Sequence, residues 1–160
     1  MRTMTAPAVA QLLFLLDQAF EDQKWHSLLN NLRAVTPDDW TWAPPDGRRS
    51  IRDVVLHVGG GKLMYHNQAF GDASLAWDDP IIENHAAVLT IPSAIEWLRQ
   101  GQQRFRQSIA ALNDDELLLP RKTHLGMKET RWIVSVIITH DLYHAGEINH
   151  IRCLHQQDDE

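Results

Sequence analysis

Apolar residues recur every three or four positions along most of this chain, the period of helices with one face turned inward. Alternation at every second residue, the mark of a half-buried strand, is nearly absent. The pattern predicts a first helix over 7–24, where Pro7 suits the first turn and Leu12, Leu13, Leu16, Ala19, Phe20 and Gln23 share a face. A shorter helical segment over 27–35 keeps Leu28, Leu32 and Val35 in step. Thr36-Pro37-Asp38-Asp39 reads as a turn or a new helix start, and Trp42-Ala43-Pro44-Pro45-Asp46-Gly47 as loop. Ser50-Ile51-Arg52-Asp53 has the form of a capping box with Asp in place of Glu. It opens a second long helix to about Phe70, with Ile51, Val54, Val55 and Val58 on its buried side.

Residues 71–91 form an irregular stretch rich in Asp and Pro, long enough to cross a bundle. Ser93-Ala94-Ile95-Glu96 reads as the capping box of a third long helix, with Ala94, Leu98, Phe105, Ile109 and Leu112 on one side. Asn113-Asp114-Asp115-Glu116 suits a short capped turn, and 118–129, with Pro120 and Gly126, a loop or small hairpin. Thr130 then caps a fourth long helix ending near Leu154. Four long helices with two extended connections predict an all-α four-helix bundle with crossover connections, as one domain over 1–160. Gly59-Gly60-Gly61 interrupts the second helix at a cost of about 1 kcal/mol per glycine relative to Ala. Close helix packing is the first explanation; a kink, or space beside a site, are the others.

Composition narrows the function classes. The net charge is −6 and no Lys/Arg cluster builds a stripe for phosphates, which argues against nucleic-acid binding. No apolar run approaches the ~20 residues of a membrane span. Cys153 is the only cysteine, so no intrachain disulfide forms. Residues 1–6 carry one charge and no apolar core with a cleavage signal. These points give the expectation of a cytoplasmic protein. The acidic tail, 156–160, reads as a frayed, solvated end.

The candidate chemistry lies on the fourth helix. Ile133 and Ile137 set its inward face, and seven residues on from each stand His140 and His144; the stripe resumes at Ile148 and Ile151. The two imidazoles fall ~40° apart on the helical wheel, where one ion can be held by both. Buried histidines satisfied by a neighbouring hydroxyl or carbonyl are the competing reading. A catalytic site of the zinc type wants three protein ligands and an open position. His57, near the apolar side of a different long helix, is the candidate third ligand, and a boundary histidine without a ligand role is its alternative. Asp53, one turn before His57, could orient its ring or merely favour the helix dipole. Glu147, between His140 and His144 on the wheel, could ligate, act as a base or hold an imidazole. Of the other histidines, His66 lies ~180° from His57 on its helix. His85 and His124 fall in loops, His150 lies off the ligand face, and His155 is near the frayed end; His26 sits at a helix junction.

His140-Asp141-Leu142-Tyr143-His144-Ala145-Gly146-Glu147-Ile148 resembles the signature of DinB-like (DinB/YfiT) proteins: His, three residues, His, one residue, Gly, usually Gln, and an aliphatic. Ser50-Ile51-Arg52-Asp53-Val54-Val55-Leu56-His57 resembles the motif on the family's second helix, and Trp25-His26-Ser27-Leu28-Leu29 resembles one branch. The resemblance implies a four-helix bundle, often dimeric, binding a divalent metal through His57, His140 and His144. Zinc or nickel leads, with iron and copper also compatible with three nitrogen ligands. Glu147 departs from the family's usual Gln. Some relatives transfer low-molecular-weight thiols, which makes a metal-dependent thiol transferase with a small-molecule substrate the leading expectation. A metal-dependent hydrolase with Glu147 as base is the second, and a non-catalytic metal-binding bundle the third.

Overall fold

Reciprocal caps set where the helices of the computed structural model begin. It describes residues 6–47 and 49–158, the last by its backbone only, so the expectations for 1–5 and for the final two residues of the tail lie outside the described residues. Thr36 Oγ1 accepts from the Asp39 N–H while Asp39 accepts from the Thr36 N–H, and the short helix α3 (Pro37–Thr41) follows. Ser50 and Asp53 make the same exchange at the start of α4 (Ile51–Phe70). The third long helix, α5 (Ile91–Ala110), starts earlier than expected, because Thr90 is its N-cap and Ser93 the reciprocal partner. That placement puts Pro92 in the first turn, where its missing N–H leaves nothing unpaired.

The chain opens with α1 (Pro7–Asp17), which widens into a π-helical turn over Gln18–Asp22. The helix stops at Asp22 rather than Lys24. Gln23 becomes extended, and its side-chain oxygen accepts from the N–H groups of Trp25 and His26. The next segment is helical only over α2 (Leu28–Leu32). A 3₁₀ turn at Asp114–Leu118 precedes a hairpin of β1 (Pro120–Thr123) and β2 (Gly126–Glu129), paired antiparallel with Pro120 opposite Glu129. The last helix, α6 (Thr130–Asp158), runs four residues past Leu154.

Contacts between the long helices give the topology. Gly59 meets Trp97, Lys62 meets Gln102 and His66 meets Ser108, so position rises together along α4 and α5 and the two run parallel. The connection from Gly71 to Thr90 therefore returns the length of the bundle, as a crossover must. Asp17 pairs with Arg106 and Glu21 with Arg99, so α1 is antiparallel to α5.

The core forms two apolar clusters. One gathers Phe20, Leu28, Leu32, Trp40, Val54, Val58, Leu98 and Ile148; the other gathers Leu16, Tyr65, Phe105, Ile109, Ile133 and Ile137. On α6 the second cluster ends at Ile138 and the first begins at Ile148. His140, Asp141 and His144 occupy the gap. The glycine triplet packs closely at two of its positions. A Cβ on Gly59 would collide with the Trp97 ring, and one on Gly60 would lie 2.6 Å from the Ile82 carbonyl oxygen. Gly61 instead faces Trp77 and His140, so of the three explanations close packing holds at Gly59 and Gly60 and space beside the histidines at Gly61. No helix among the described residues is long and apolar enough to cross a membrane.

Candidate metal centre

His57 projects from α4, and His140 and His144 from one face of α6. His140 Nε2 lies 3.0 Å from His57 Nε2 and 3.1 Å from His144 Nε2. One ring nitrogen from each of the three lies within 4.8 Å of the other two, a group that could hold a metal ion. Two nitrogens bound ~2.0–2.1 Å from one ion stand ~2.9–3.4 Å apart, so the spacing suits a single cation. The proton pattern points the same way. His144 Nδ1 lies 2.6 Å from Glu147 Oε2, and an ionised carboxylate only accepts. The ring hydrogen of neutral His144 therefore sits on Nδ1, and its Nε2 offers a lone pair to the cluster.

Burial is the main force on all three rings. It pushes His57 down to about 4 and His140 down to about 3, with the neighbouring His144 adding to both. It lowers His144 as well, against the opposing pull of Glu147. All three are held neutral near pH 7, the form a metal requires.

The surroundings assign several expected roles. Glu147 holds the His144 imidazole, and Arg49 Nη2 grips both of its oxygens at 2.9 and 3.1 Å. Asp53 does not orient His57 in the way considered for it: its Oδ2 accepts from the Ser50 N–H and hydroxyl, closing the helix cap. Trp77, from the long crossover, stacks on His57 with 5.2 Å between centroids and 10° between planes. Tyr143 sets its ring nearly perpendicular to His144. His124, at the hairpin turn, touches Trp77 and Tyr65 rather than the cluster. His66 bonds Ser108, and His26, His85 and His150 are exposed. His155 is no frayed residue: its Nδ1 lies 2.8 Å from Asp39 and its ring stacks on Trp42.

Residues 22–148 match the family model of the DinB superfamily. This chain belongs to the DinB superfamily. The matched stretch contains all three histidines, Arg49 and Glu147, and the mostly helical architecture agrees with a DinB-like all-α fold. No curated protein matches the chain. Superfamily membership together with the three-histidine group fits a metal-dependent protein.

Sequence reasoning missed three features of this DinB-superfamily chain. Arg49 lies in a loop without periodicity. Trp77 lies in a connection read only as irregular. The third is a buried ion pair: Lys62 Nζ is 2.7 Å from Asp141 Oδ2 and 2.6 Å from Gln102 Oε1, with both charged side chains no more than 1% exposed. A signal for it existed. Lys62 stands seven residues after Val55 and four after Val58, while Asp141 stands seven after Val134 and four after Ile137, all buried positions. Burial drives Lys62 down and Asp141 up, and their contact opposes both shifts.

Proposed function

We propose that this chain is a divalent-metal-dependent enzyme that transfers a low-molecular-weight thiol to a small electrophile. The observation that carries the reading is the meeting of three neutral imidazole nitrogens from two helices, with no fourth ligand in the group among the described residues. A divalent ion held there would supply Lewis acidity, enough for a thiol to ionise at neutral pH.

The chain's own residues do the rest. His57, His140 and His144 would hold the ion, and Glu147 fixes the His144 ring with Nε2 inward. Trp77 covers one face of His57, and Tyr143 sets its ring edge-on against His144. In the transfer, the thiol S–H bond breaks, a C–S bond forms at the electrophilic carbon, and the leaving group departs with its bonding pair. The thiol proton passes to solvent, while Glu147, on the Nδ1 side of His144, keeps that ring in place.

The test begins with elemental analysis of untagged protein beside the His140→Ala variant. About one metal per chain, lost in the variant, is the expected result. A panel of small thiols and electrophiles then reads turnover. Product formation that requires both metal and thiol supports the reading, whereas metal-dependent turnover without any thiol replaces it with hydrolysis.

A further inference from the structure

We infer that Arg49 is a positioning residue that offsets the charge of Glu147 behind the ligand His144, and so sets how tightly that ring holds a metal. The inference rests on the metal-site reading above.

Arg49 comes immediately before the N-cap of α4, so its backbone is pinned by the Ser50–Asp53 exchange. Its Nη2 reaches across to both Glu147 oxygens on α6. Glu147 in turn contacts His144 Nδ1. Arg49, Glu147 and His144 thus form one chain of contacts from the start of α4 to the ligand cluster, joining the same two helices that supply the ligands.

The Glu147 side chain is 26% exposed and that of Arg49 37%, so water only partly screens them. A carboxylate behind a ligand histidine strengthens its hold on a dication, and a nearby guanidinium weakens it. Present together, the two charges nearly offset.

The test is zinc affinity by competition with a chromophoric chelator, on wild type, Glu147→Gln, Arg49→Met and the double variant. Methionine keeps the apolar stem of Arg49 and removes its charge. Glu147→Gln leaves a lone cation near the site, and affinity falls about tenfold or more. Arg49→Met leaves a lone carboxylate on His144, and affinity rises by a similar factor of about ten. The double variant returns to within about threefold of wild type. Nitrogen-15 shifts of His144 in the metal-free protein supply the second readout, with Nδ1 protonated in wild type and in Arg49→Met. Four equal affinities overturn the inference, and so do two single variants that both weaken binding with no recovery in the double, the signature of mechanical bracing. A wild type that takes up no zinc overturns the metal-site reading and this inference together, an outcome distinct from equal affinities in proteins that all bind.

Discussion

Two polar groups interrupt the core along the same pair of helices, and they are built on opposite principles. Lys62, Asp141 and Gln102 close on one another with two short contacts, one of them a charge pair, and Gln102 makes a further long contact at 3.5 Å to the Leu16 carbonyl. His57, His140 and His144 converge through ring nitrogens and bring no opposite charge into their midst. The first is a polar cluster that needs only itself, apart from Asp141 Oδ1, which has no partner among the described residues. The second is a group that could hold a cation. Burial alone does not mark a site. What distinguishes the histidines is that several ligand atoms face a common point without a partner that satisfies them all.

The comparison breaks most visibly if one half of the ion pair is removed. Lys62→Met leaves the Asp141 carboxylate buried without its counter-charge, and the expected loss is about 3–5 kcal/mol of folding stability. Lys62→Met with Asp141→Leu recovers most of that loss, because a buried pair is often replaceable by apolar groups of similar size. Urea unfolding of the three proteins measures both. If the single variant is as stable as wild type, the pair is not the closed network described here.

The histidine cluster should respond to metal rather than to its own neighbours. With free metal at 100 times the dissociation constant, binding adds about 2.7 kcal/mol to the folded state. That increment, read as the difference in unfolding with and without chelator, disappears in His140→Ala. The Lys62–Asp141 double variant keeps it if the two polar groups are independent. A chelator effect of equal size in His140→Ala would place the metal elsewhere.

The two groups also differ in how far the sequence disclosed them. His140 and His144 were legible because a heptad step carries Ile133 and Ile137 onto them, and His57 because it ends a recognisable helix-two motif. The capped start of α4 was legible because Ser50 and Asp53 sit three apart. Lys62 hid behind three glycines that drew attention to backbone packing, and Asp141 behind the histidine next to it, although both fall on the buried stripe. Arg49 had no helical period to betray it, and its partner is 98 residues away. The cap of α5 lies three residues before the position its sequence suggests, because Ser93 fits the local box as well as Thr90 does. Only Pro92, best placed within the first turn, decides between them.

Acid separates the groups further. The folded metal-free protein holds His57 near 4 and His140 near 3, and His144 also below its usual value. Unfolded imidazoles titrate near ~6.5, so between that value and the folded ones the unfolded chain binds more protons. Stability is therefore full above about pH 6.5 and falls as the solution is acidified toward pH 4. Urea midpoints of chelated protein at pH 7 and pH 5 test this. The drop is smaller in a variant lacking both His57 and His140. An unchanged drop would mean that these rings are not the groups excluded from protonation.

The smallest expected effect concerns the cover over the histidines. A Cβ on Gly61 would stand 3.1 Å from Trp77 Cη2 and 3.6 Å from His140 Cε1. Trp77 is 37% exposed on the long crossover, so it can yield by the few tenths of an ångström that Gly61→Ala demands. Alanine also gains up to about 1 kcal/mol of helix propensity over glycine, which offsets the crowding. Net stability should stay within about 1 kcal/mol of wild type, while Trp77 is pushed off the His57 face and chelators strip the metal faster. Gly59→Ala is the control, because the ring it would strike belongs to Trp97, only 9% exposed, and overpacking there costs about 1–3 kcal/mol. If Gly61→Ala destabilises as much as Gly59→Ala with metal loss unchanged, Trp77 is packed as firmly as the core. The histidine cluster would then be sealed like the ion pair beside it rather than covered by a side chain that can move.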